Sequence, residues 1–167
     1  MIAKSYIENN LKQLNKLYNN ANTQKKKLYY SKLAMLELCG WIEESMDDIA
    51  IRCANRILNE VPNKVFVMKS VVKPIYGFEY QGHFRKMLMQ IIGLVNIEKL
   101  ERSVDPNKYT QLISTLGMLK VSRNNEAHTH IKGVARTIDA PSLTLHRFYL
   151  VYEGLKNFEV ELKAMNM

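Results

Sequence analysis

Cysteine, proline and tryptophan are scarce in this chain of 167 residues, which holds two Cys, four Pro, one Trp and seven Gly. Cys39 and Cys53 stand among apolar neighbours in one helical stretch, with no CxxC pair and no zinc-ligand spacing. A disulfide framework or a local zinc site is thereby excluded, and two buried free thiols in a reducing compartment are expected. Long hydrophobic runs are missing as well. The longest, "MLMQIIGLV" from Met87 to Val95, falls well short of a membrane span, so no membrane association is expected. The opening residues, "MIAKSYIENNLKQLNK", contain no apolar core of a signal peptide, which points to a cytoplasmic protein. There is no GxGxxG, no Walker-type glycine-rich loop and no HExxH, so dinucleotide, P-loop and zinc-protease chemistry lack a carrier, and no cofactor or metal is expected.

Acidic residues are in deficit too: 16 Asp and Glu face 24 Lys and Arg, for a net charge of +8 and a pI near 9.4. Such a chain is drawn to polyanions, nucleic acid first among them. The excess is dispersed apart from the run Lys25 to Lys27, which reads as a solvated turn or helix start, or else as a phosphate-contacting patch. With 47% apolar and 24% charged residues, the composition is that of one globular domain with a real core.

Apolar residues recur at helical spacing through most of the chain. Ile7, Leu11, Leu14 and Leu17 mark a first helix over about 4–18. Leu33, Leu36, Leu38, Ile42, Met46, Ile49 and Cys53 mark a long second one over about 26–59. Residues 61–82 carry Pro62, Pro74, Gly77, Gly82 and a β-branched run, and are predicted to be an irregular crossover or short hairpin within the domain. A third helix is expected to about Arg102, with Phe84, Leu88, Ile91, Ile92 and Val95 facing inward. Asp105 and Pro106 then form a clean helix start, cap followed by first-turn proline. That helix is expected to run on to near Gly133. In "DAPSLTLHRF", Ser142, Asp139 and Pro141 compete for the start of a last helix reaching about Ala164. The fold class that follows is all-α, a compact bundle of about five helices in a single domain over residues 1–167.

The stretch "VSRNNEAHTH", Val121 to His130, places unusual polar chemistry beside an apolar stripe. Arg123 offers a planar, permanently charged fork suited to phosphate. His128 is a side chain that can take or give a proton near neutral pH. Together they suffice for cleavage of RNA, where the 2′-hydroxyl is an internal nucleophile and a metal is not strictly required. DNA lacks that hydroxyl. On an ideal helix the two side chains stand about 140° apart. A distorted helix, a groove shared with another element, or a second copy related by a two-fold axis would bring them together; the last would supply an acid and a base from separate chains. The competing reading makes Arg123, Glu126 and His130 a solvated helix face, with His128 closing a network against another helix.

"RNNEAH", Arg123 to His128, resembles the R-x(4–6)-H signature of the HEPN superfamily and, more narrowly, the RN-x-x-AH form of its toxin and defence-associated ribonucleases. The motif covers six of the 167 residues, and its context adds to it: a helical chain of suitable size with helices before and after. The resemblance implies a HEPN-like α-bundle, catalytic roles for Arg123, Asn124 and His128, and a homodimer with a composite active site. It also implies an antitoxin or other regulatory protein as a possible partner. Glu126 and His130 lie outside the core signature and are supporting candidates. Lys25, Lys26, Lys27, Lys64, Lys69, Lys73, Arg85 and Lys86 are candidates for contacts to the RNA backbone, with Tyr76, Phe78 and Tyr80 for base stacking. The expected function is metal-independent endoribonuclease activity leaving 2′,3′-cyclic phosphate and 5′-hydroxyl ends. The alternative is a non-catalytic HEPN-like module that binds RNA, a nucleotide or a protein partner.

Overall fold

The computed structural model describes residues 1–127 and 138–167, and every regular element among them is helical. Helix α1 spans Ser5–Asn19 and α2 spans Gln24–Ile57, 34 residues and so roughly 50 Å long. Thr23 starts α2 by accepting the Lys26 N–H on its hydroxyl at 3.3 Å, two residues earlier than hydrophobic periodicity marks the start. Lys25 and Lys26 are exposed in this first turn, and the ammonium of Lys27 lies over the Tyr18 ring.

The predicted irregular stretch is mostly helical, which brings the number of α-helices among the described residues to six. Pro62 sits in the first turn of α3, Val61–Phe66, where its missing N–H has no helical partner to lose. The helix continues as a wider π-helical segment over Val67–Val72, closed by the Lys73 N–H donating to the Met68 carbonyl. Pro74 then ends it, and only residues 73–79 are free of helix. A second π-helical turn, Tyr80–Phe84, leads directly into α4, Arg85–Ser103. Prolines at a helix start and just past a helix end punctuate helices; read together in sequence they suggested a loop.

Helix α4 breaks at Gly93, whose φ of 77° and ψ of 162° are conformations that other residues rarely adopt. The break shifts the helical phase. Met87, Leu88 and Ile92 before it and Ile97 and Leu100 after it are buried, whereas Val95, expected inside, is 68% exposed. Leu17 and Leu33, also expected on inner faces, are about half exposed.

Helix α5, Pro106–Ala127, begins as its sequence indicates: the Asp105 carboxylate accepts the N–H groups of Asn107 and Lys108, each at 2.9 Å. Its expected extension to Gly133 lies outside the described residues. Helix α6, Pro141–Ala164, starts from Ala140 with Pro141 in its first turn, so Ser142 is not the cap. Asp139 instead pairs with Arg147 at 2.7 Å. Helix α6 packs against α1, α2, α4 and α5, and α2 packs against each of the other helices. Phe148 and Phe158 are its fully buried rings. Phe158 meets Tyr80, Phe84 and Tyr109 at centroid distances of 5.5 to 6.0 Å, joining the π-helical turn, α5 and α6 in one aromatic cluster. Trp41 packs its ring edge-on against Phe148 and donates its indole N–H to the Ala3 carbonyl. No helix among the described residues is long and apolar enough to cross a membrane.

Candidate functional site

Leu112, Leu116 and Leu119 bury one side of α5. That anchorage turns Lys120, Arg123 and Asn124 toward the connection between α3 and α4. There they line a pocket of about 280 Å³ with Tyr76, Gly77, Phe78, Glu79 and His83. The Arg123 side chain is 39% exposed, and its guanidinium lies 3.5 Å from a carboxylate oxygen of Glu43 on α2. Lys120 reaches across the pocket to Glu79, Nζ to Oε1, at 2.6 Å. The imidazole of His83 is held from behind: the backbone N–H of Glu79 donates to its Nδ1 at 3.1 Å. A carboxylate oxygen of Glu79 lies 3.8 Å from the same ring nitrogen.

Gly77 makes this arrangement possible. Its φ is +120°, and a Cβ there would lie 2.7 Å from Nε2 and 2.8 Å from Cε1 of His83. Gly77→Ala is therefore expected to lower stability by about 1–3 kcal/mol and to displace the imidazole, as read by urea denaturation and by the chemical shifts of the His83 ring.

Charges on α2 shape the far side of Arg123. Asp47, one turn beyond Glu43, is raised to about 6 by burial and by the neighbouring Glu43, Asp48 and Glu44 carboxylates. Burial pushes the Cys39 thiol up to about 12 against the opposing pull of Arg123, which keeps it a neutral thiol and no nucleophile at ordinary pH. Cys53 is likewise buried and raised to about 11; both cysteines are free.

The structure gathers some of the expected residues and separates others. Arg123, Asn124, Tyr76 and Phe78 share the pocket. Tyr76 is 84% exposed and offers both faces, whereas Phe78 is 3% exposed, which leaves its ring no face for a base. Tyr80 is also spent. Its ring belongs to the aromatic cluster, and its hydroxyl donates to Glu101 at 2.8 Å. Arg85 is engaged by the same carboxylate through two bonds, so it acts as a structural clamp and not as a free phosphate contact. Burial alone would raise the Glu101 carboxyl, but the bonds from Arg85 and Tyr80 outweigh it and hold it below the ordinary carboxylate range.

Glu126 is buried and lines a separate cavity of about 140 Å³ with Met35, Ser122, Asn125, Ile138 and Asp139. His128 and His130 lie outside the described residues. Lys69, Lys73 and Lys86 are exposed around the α3–α4 region, Lys64 is partly buried on α3, and Lys25 to Lys27 belong to the first turn of α2. Lys120, His83, Glu79 and Glu43 were not singled out by the sequence. They lie far from Arg123 along the chain or on its apolar stripe, and only the packing of α5 against α2 and the α3–α4 connection brings them together.

No family model matches the chain, and no curated protein or solved structure matches it. The class that fold and site define is an all-α bundle with a cation-lined surface pocket at the end of α5.

Proposed function

We propose that the protein is a metal-independent endoribonuclease of HEPN type. One observation carries the reading: Arg123 and Asn124, the first two residues of the HEPN-like motif, line a single pocket with Lys120, His83 and the exposed Tyr76. Anionic, base-bearing ligands suit such a combination of donors and an aromatic face. His128, the last residue of that motif, follows Ala127 directly in sequence.

In this mechanism a base removes the 2′-hydroxyl proton as O2′ bonds to phosphorus. The P–O5′ bond breaks, and an acid delivers a proton to the departing 5′-oxygen. His128 performs the acid and base work, drawn from one or both subunits of a homodimer. Arg123 neutralises the charge that grows on the phosphoryl oxygens, and Asn124 orients them. Cleavage of this kind suits a toxin or defence effector restrained by an antitoxin or regulatory partner.

The test is incubation of the pure protein with end-labelled RNA in EDTA. Cleavage with 2′,3′-cyclic phosphate and 5′-hydroxyl ends is expected, with an all-DNA strand of the same sequence left intact. RNA that is bound but never cut, with or without divalent metal, would overturn the enzyme reading in favour of a non-catalytic module binding RNA, nucleotide or protein at the same pocket.

A further inference from the structure

His83 has no place in the motif, yet its geometry makes it a fixed hydrogen-bond donor at the pocket. The Glu79 N–H donates to Nδ1 and so occupies that nitrogen's lone pair. In the neutral ring the proton must then reside on Nε2. Nε2 lies over Gly77, a residue of the pocket wall, and makes no hydrogen bond among the described residues. Three more donors line the same space: the Lys120 ammonium, the Arg123 guanidinium and the Asn124 amide. Glu79 supplies the one carboxylate among the described residues of the lining. It holds Lys120 at 2.6 Å, and this leaves the ammonium facing the pocket with its other two N–H groups to give. Donors that outnumber acceptors call for a ligand rich in acceptor oxygens. The cavity, about 280 Å³ and near the low end for small-ligand sites, has room for a phosphate with its sugar.

We propose that this pocket seats the phosphate of a nucleotide unit, with His83 Nε2–H and Lys120 donating beside Arg123 and the Tyr76 ring stacking on the adjoining base. The proposal rests on the ribonuclease reading for the identity of the strand, though not for the seat itself. Its two possible sources of phosphate, an RNA strand and a free nucleotide, are distinguished by probe.

The experiment measures binding without chemistry, by fluorescence anisotropy of a short labelled 2′-O-methyl oligonucleotide and by competition with nucleoside 5′-monophosphate. The full chain is compared with its His83→Ala and Lys120→Gln variants. Each variant is expected to weaken binding about tenfold, the loss of one hydrogen bond to a charged group. Lys120→Gln should also lower the salt dependence by about one phosphate contact. Loss for the oligonucleotide alone assigns the seat to a strand, and loss for both probes assigns it to any nucleotide phosphate. Wild-type affinity of both variants for both probes would overturn the seat. Removing His83 also removes the acceptor for the Glu79 N–H and can loosen the connection, so Lys120→Gln, a change at a half-exposed side chain, decides the matter if the His83 variant melts early. Cleavage that persists with binding unmoved by either variant sinks the seat and spares the nuclease. Binding that falls in both variants of a protein that never cleaves does the reverse.

Discussion

His128→Ala is expected to cut RNA roughly 10²–10⁴ times more slowly than the natural chain while holding a non-cleavable oligonucleotide with unchanged affinity. The split follows from what an imidazole contributes. Proton transfer stabilises the transition state and does little for the ground-state complex, so the loss falls on the chemical step. Arg123→Ala should behave differently. In the proposed mechanism its guanidinium meets the phosphate before and during reaction, so both affinity and rate are expected to fall, the rate by roughly 10²–10³-fold. Arg123→Lys is not expected to rescue it. A lysine keeps the charge but loses the planar fork that can give one edge to Glu43 and another to phosphate. Single-turnover cleavage rates beside anisotropy titrations on the same preparations check both statements. Full activity in the His128 variant would end the assignment of proton transfer to that residue.

Glu159→Ala is expected to destabilise the fold by about 3 kcal/mol, the low end for removing one partner of a buried ion pair. Glu159 is 1% exposed on α6. Its carboxylate accepts the Ile2 N–H at 3.0 Å and pairs with the Met1 ammonium, Arg52 of α2 and Lys163. It thus ties the first residues to two helices at once. Burial works to raise this carboxyl, yet the N-terminal ammonium, the Ile2 N–H, Arg52 and Lys163 together hold it below the ordinary range. The sign of the pH dependence follows. A carboxyl lowered in the folded state contributes its full stability above the unfolded value and loses it as pH falls through the folded one. Urea titrations of the natural chain and Glu159→Gln should therefore differ most at neutral pH and converge in acid. A gap that stays constant into strong acid would show that the charge of Glu159 is not what stabilises.

Much of the bundle was legible because apolar spacing and capping are local. Asp105 and Pro106 announced the start of α5 correctly. Residues 61–82 misled for a physical reason. Pro62 and Pro74 bound helical segments, but two π-helical turns carry an irregular period that no 3.6-residue template detects. Val95 failed because a single glycine resets the phase of α4. At the site, Arg123 and Asn124 could be singled out from sequence since their motif is contiguous. His83 and Lys120 could not. The imidazole is defined by a backbone N–H four residues away and by the absence of a side chain at Gly77, and the lysine by a carboxylate on another element.

The clamp of Tyr80 and Arg85 on Glu101 reaches back over the Gly93 break from positions 21 and 16 residues earlier in the chain. The wall bearing His83 is thus set in register only once the far end of α4 has docked, and the opposite wall arrives later still, with α5. A growing polypeptide that has not yet delivered Asn124 therefore has only one wall of the pocket in place.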